Sequence, residues 1–155
     1  MVMERLPNAE LSIVGHNAPG CDVRGVSVVG PVADLAELLN SVRVNLAPLR
    51  YGAGMKSKVA AGLAAGLPTV TTEVGAEGFS RLSDLAPIIA ESTAGFADAV
   101  VSLLVDDALW EAAASASLEE AHRSCGPGAV KETATFISDL VRKKPNANRV
   151  TERRR

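Results

Sequence analysis

Aromatic side chains make up only 3% of this 155-residue chain, and neither sign of charge dominates it, with a formal net charge of -2 and an isoelectric point near 5.7. That balance gives no global attraction to a polyanion, so nucleic acid is not an expected partner and any basic chemistry has to be local. Long apolar runs are missing as well. None approaches the roughly 20 residues of a membrane span. The start, Met1 to Pro7, has no apolar stretch behind a basic segment, so no secretory leader is expected and the reading is a cytoplasmic protein. Cys21 and Cys125 stand far apart, with no second cysteine or histidine at metal-ligand spacing. A disulfide framework and a zinc site are therefore not expected, no metal is assigned, and both thiols are read as inert.

What the chain does contain is 47% hydrophobic residues, carried mainly by Ala, Val, Leu and Gly, in a length that suits one domain with a real core. Strand-length apolar runs at 11–14, 26–29, 42–47, 69–71 and 87–90 alternate with amphipathic segments. This is the pattern of a parallel sheet flanked by helices, and the continuous apolar runs predict strands buried on both faces. Asp34 is placed to cap a helix over 35–40. A second helix over 57–65 is closed by Gly66 as a left-handed cap and by Pro68. Gly62 inside it costs about 1 kcal/mol against alanine, and close packing on the sheet is the expected return. Helical stretches over 94–105, 109–122 and 129–143 make the C-terminal end helical, with Phe136, Ile137, Leu140 and Val141 on one stripe. The domain is read as residues 1–144. From 145 onward the chain is polar and ends in Arg153, Arg154 and Arg155, a disordered basic tail with at most a peripheral pull toward an anionic membrane.

The informative stretch is Ala47-Pro-Leu-Arg-Tyr-Gly-Ala-Gly-Met-Lys-Ser-Lys-Val59, a strand end, a glycine loop and a helix start. Ligands of open α/β sheets bind at this edge, where a helix N-terminus offers unpaired amides and a positive dipole end to an anion. Between Glu37 and Glu73 there is no acidic residue, while Arg43, Arg50, Lys56 and Lys58 are all present. Lysines at a helix start are unfavourable unless an anion offsets them, so a phosphate-bearing ligand is expected. The Walker pattern fails because Met55 stands where glycine is needed before Lys56-Ser57. The dinucleotide pattern fails because Ser57 replaces its third glycine.

Together with Ala64-Ala-Gly-Leu-Pro-Thr-Val-Thr-Thr72, Val74-Gly-Ala-Glu-Gly78, Asn8-Ala-Glu-Leu-Ser-Ile-Val-Gly15 and Val26-Ser-Val-Val-Gly30, this loop resembles the group-1 glycosyltransferases of the retaining GT-B class. The resemblance implies a partial GT-B C-terminal domain, Rossmann-like, that binds a nucleotide-sugar donor while an N-terminal domain supplies the acceptor. It implies that Arg50, Gly52, Ala53, Gly54, Met55, Lys56 and Lys58 hold the donor sugar and diphosphate and that Gly30, Pro31 and Val32 lie against the base. No cofactor and no metal are needed, and no catalytic residue is assigned. The sequence departs from the family at Ala61, where many relatives carry a ribose-binding glutamate. It also opens beside the family's second strand. The strand expected at the centre of the doubly wound sheet is therefore not in it, which predicts two unsatisfied inner edges and new strand pairing, a partner or self-association. A nucleotide-diphosphate-binding module without catalysis, and a nucleotide-sugar epimerase relative, are the alternative readings.

Five further residues are read by position. His16 is expected to be solvated, and His122 to complement a helix dipole. Trp110 is expected to pack rather than recognise. Glu73 and Glu77, beside Gly78, lie at the ligand edge, where a sugar contact and, for Glu77, a helix cap both stay open.

Overall fold

The computed structural model describes residues 1–16, 18 and 20–143, so the expected basic tail at 145–155 lies outside the described residues. The elements in order are α1 Val2–Arg5, β1 Leu11–Val14, β2 Val26–Gly30, α2 Leu35–Ser41, β3 Asn45–Ala47, α3 Ser57–Ala64 and β4 Thr69–Thr71. They continue with α4 Glu73–Ala76, β5 Ile88–Ile89, α5 Thr93–Val105, α6 Asp107–Cys125 and α7 Pro127–Lys143. The protein is α/β with parallel strands, helices against the sheet and a helical C-terminal end, as the alternating pattern predicts. Among the described residues no helix is long and apolar enough to cross a membrane.

The strands form two sheets rather than one, a pair β1-β2 and a triple β3-β4-β5, parallel throughout. Among the described residues β1 pairs only with β2 and β3 only with β4, so each keeps one unpaired edge, as the expectation of two open inner edges requires. Leu11 and Gly15 donate their amides toward β2, so strand alternation turns the backbone groups of Ser12 and Val14 to the other side. Asn45 donates to the Pro68 carbonyl at 2.9 Å, which likewise turns those of Leu46 away from β4.

The triple carries the core on both faces. Ala47, Val59, Leu63, Phe79, Ala86 and Ala121 form a buried cluster, and Val70, Val100, Leu103 and Ala113 form another. Helices α3 and α5 both pack on β4, whose three residues are fully buried. Burial on both faces is therefore correct for β4 and wrong for β2. There Val28 and Val29 are exposed, because among the described residues no helix packs extensively on the two-stranded sheet.

Segment 42–44 is not strand, which corrects the expected run of 42–47. The strand beside it, β4, is preceded there by Pro68, which has no amide to continue the ladder. The short helices α1 and α4 carry too few residues for a periodic signal. Asp34 caps α2 as expected, accepting from the amides of Ala36 and Glu37. The end of α3 is a Schellman closure: Leu67 donates to the Gly62 carbonyl, Gly66 to that of Leu63, and Gly66 has φ +68°. A β-carbon at Gly62 would lie 2.3 Å from Asn45 Nδ2 and 2.6 Å from Thr69 Oγ1. The glycine thus sets how closely α3 sits on β3 and β4.

Candidate functional site

Three elements converge after the carboxyl ends of β3 and β4. Strand β3 delivers the glycine loop, α3 begins at its end, and α4 with the segment behind it comes from β4. A cleft of about 520 Å³ is lined by Arg50, Tyr51, Met55, Lys56, Ser57 and Lys58, together with Pro48 and Leu49. Of the expected donor-binding residues, Arg50, Met55, Lys56 and Lys58 therefore line one space. Gly52, Ala53 and Gly54 do not line it.

The loop is built around Lys56. Gly52 has φ +140°, and a β-carbon there would lie 2.9 Å from Lys56 Cε, so the lysine stem rests on bare backbone. Gly54 has φ +66°, a left-handed turn that glycine adopts without strain. Its carbonyl accepts from Lys56 Nζ. Gly78, with φ +90°, approaches the Met55 backbone so closely that a β-carbon would stand 3.2 Å from Met55 Cα.

Helix α3 has no side-chain cap and no acid in its first turn, whereas α2, α4, α5 and α6 are capped by Asp34, Thr72, Ser92 and Asp106. Among the described residues no acceptor meets the amides of Ser57 and Lys58. These amides, with the dipole behind them, are donors for an anion. Lys56 Nζ meets the Glu77 carboxylate at 3.1 Å. Neither Arg50 nor Lys58 has an ion pair among the described residues.

Not all of the expected cations belong here. Arg43 lies at the other end of β3, where it donates to the Leu103 carbonyl, pairs with Asp107 and lies over the Trp110 ring. It is a packing residue and leaves the anion cluster. Trp110 is as expected, its ring nitrogen donating to the Arg43 carbonyl at 2.7 Å. His122 lies in the last turn of α6, as expected of a residue that complements the dipole. Gly30 ends β2 on the two-stranded sheet, Pro31 and Val32 follow it, and none of the three lines the cleft. Glu73 is held by Arg81 through two bonds of 2.8 and 3.0 Å.

One supporting residue escaped the sequence reading. Glu120, 4% exposed, accepts from the Ser80 amide and hydroxyl at 2.6 Å each and from Ser124 Oγ. It pins the segment that carries Glu77 and Gly78 to α6. The signal was in the spacing of Ala113, Ser117, Glu120, Ala121 and Ser124, a small-residue helix face with one acid in it. Burial alone would raise the Glu120 pKa. The Ser124 and Ser80 hydroxyls and the amides of Ser80 and Arg81 outweigh it and hold the carboxyl below its ordinary 4.5.

A lowered folded-state value means stability that is present above the unfolded value and lost as pH falls through the folded one. Glu120→Gln is therefore expected to cost about 1–3 kcal/mol at neutral pH and to flatten the loss of stability below pH 4.5. Urea unfolding of both proteins at pH 7 and pH 3.5 measures this, and an unchanged acid slope counts against it.

A family model described as "Glycosyl transferases group 1" matches residues 1–106, a stretch that contains both sheets and the loop. No curated protein matches the chain.

Proposed function

From the membership of this chain in the group 1 glycosyltransferases, we propose that its cleft is the donor site of sugar transfer from a nucleoside-diphosphate sugar. The observation that carries the reading is the uncapped start of α3 opening into the same cleft as Arg50, Lys56 and Lys58. Two phosphates supply the negative charge that this arrangement offers to neutralise. Arg50, Lys56, Lys58 and the free amides bind the diphosphate, the backbone from Gly52 to Met55 faces the sugar, and Gly30, Pro31 and Val32 lie toward the base.

Breaking the sugar–phosphate bond leaves its electron pair on the departing nucleoside diphosphate. Fixed donors aimed at that oxygen lower the barrier because they are already oriented when the charge grows. As the resemblance to two-domain enzymes implies, the acceptor is supplied by a second domain or a partner chain. Ala61 leaves the ribose without the carboxylate contact of many relatives, so affinity rests on the diphosphate.

Calorimetric titration with UDP, GDP and ADP tests the reading without an acceptor. Saturable binding of one of them supports it and identifies the base. No heat up to millimolar ligand refutes it. Binding without any turnover when an acceptor domain is added would favour a binding module over an enzyme.

A further inference from the structure

The Lys56 ammonium is the most enclosed cation of the cleft, with its side chain 10% exposed, and it is engaged by a carboxylate. That carboxylate belongs to Glu77, which is 54% exposed and so keeps room for a second partner. Its position is fixed by the backbone on either side. Ala76 and Phe79 are buried in the core, Gly78 lies against Met55, and Ser80 is held by Glu120. Before it, Thr72 caps α4 while its hydroxyl bonds the Leu49 carbonyl, tying this segment to the chain between β3 and the glycine loop. A negative group is thus built into the rim of a site whose other features select negative ligands.

On the basis of the proposed donor site, we infer that Glu77 is a specificity-determining residue that favours the sugar nucleotide over the bare nucleoside diphosphate. In this structure it is the counter-ion of Lys56. An incoming diphosphate takes Lys56 and leaves the Glu77 carboxylate facing a like charge with no donor of its own. A ligand that also carries hydroxyls beside its second phosphate supplies those donors, and the carboxylate becomes an acceptor. The same residue therefore weakens the hold on the spent diphosphate and rewards the loaded one.

The test compares UDP with UDP-glucose, GDP with GDP-mannose and ADP with ADP-glucose on the wild-type chain and on Glu77→Gln and Glu77→Asp, each first checked for an unaltered thermal transition. Glu77→Gln is expected to bind the bare diphosphate about fivefold more tightly, the scale of a half-exposed charge pair, and the sugar nucleotide no more tightly. Glu77→Asp keeps the charge with a shorter reach, so it should retain weak binding of the bare diphosphate while losing the preference for the sugar. A purely structural residue would move both ligands alike in both variants, and that result overturns the inference. A wild-type chain that binds none of the six ligands overturns the donor site itself, and the inference with it.

Discussion

Gly62→Ala is expected to destabilise the chain by about 2–3 kcal/mol, although alanine is the better helix former by about 1 kcal/mol. The added carbon would stand 2.3 Å from Asn45 Nδ2 and 2.6 Å from Thr69 Oγ1, and neither side chain is free to leave. Asn45 Nδ2 bonds the Lys58 carbonyl at 3.1 Å and Thr69 Oγ1 at 3.2 Å, and Thr69 Oγ1 donates to the Leu67 carbonyl at 3.0 Å. Thr69 is fully buried, so breaking this set leaves polar atoms unpaired away from water, at about 1–3 kcal/mol. The alternative is a shift of α3 away from the sheet, which opens the Val59 and Leu63 packing. Against a typical stability of about 5–15 kcal/mol the loss is large. Denaturant unfolding checks it, with Ala64→Gly, on the exposed side of the same helix, as a pure propensity control. A midpoint no lower than that of the control would show that α3 does not depend on this close approach.

The second large effect falls on binding. Lys56→Ala is expected to weaken the nucleoside diphosphate about 10- to 100-fold, the range of one charge-assisted hydrogen bond in a partly enclosed site. Lys58→Ala should cost less, about threefold, because Lys58 is exposed and its charge is screened by salt. The order of the two matters more than either value. If Lys58 proves the larger, the anion does not sit where Gly52 and Gly54 aim the Lys56 stem. The measurement is the same calorimetric titration, repeated at low and high salt. The Lys58 contribution should shrink between the two and the Lys56 contribution should largely persist.

Sequence alone made the loop legible because its signals are local. Glycines at a strand end, a cation pair at a helix start and a Gly-x-Pro stop each act within a few residues, and the structure places Arg50, Met55, Lys56 and Lys58 on one cleft. The Asp34 cap and the Gly66 closure were readable for the same reason.

What stayed hidden depends on distant partners. Arg43 looked like a member of the cation cluster because the sequence shows charge order, whereas its role follows from Asp107 and Trp110, more than 60 residues away. Glu77 could be placed at the right edge but not on Lys56, since the contact depends on how α4 leaves β4. The exposure of Val28 and Val29 was misread because an apolar run does not reveal whether a helix will cover it.

The division of the strands into a triple and a pair has an energetic consequence for ligand recognition. The pair is joined to the rest chiefly where α1 meets α5, with the exposed Arg5–Asp98 ion pair across that contact, and such a pair contributes little. Local opening of β1 and β2 therefore costs far less than global unfolding, while β4, enclosed on both faces, opens only with the whole. In the proposed site the phosphates would meet a surface that is already rigid. The base would meet Gly30 to Val32 on the more weakly anchored of the two sheets, and holding it there spends conformational entropy that the diphosphate contacts do not. Affinity would then be set by the charged half of the ligand, with the choice of base a weaker discrimination that grows as the two-stranded sheet is held in place.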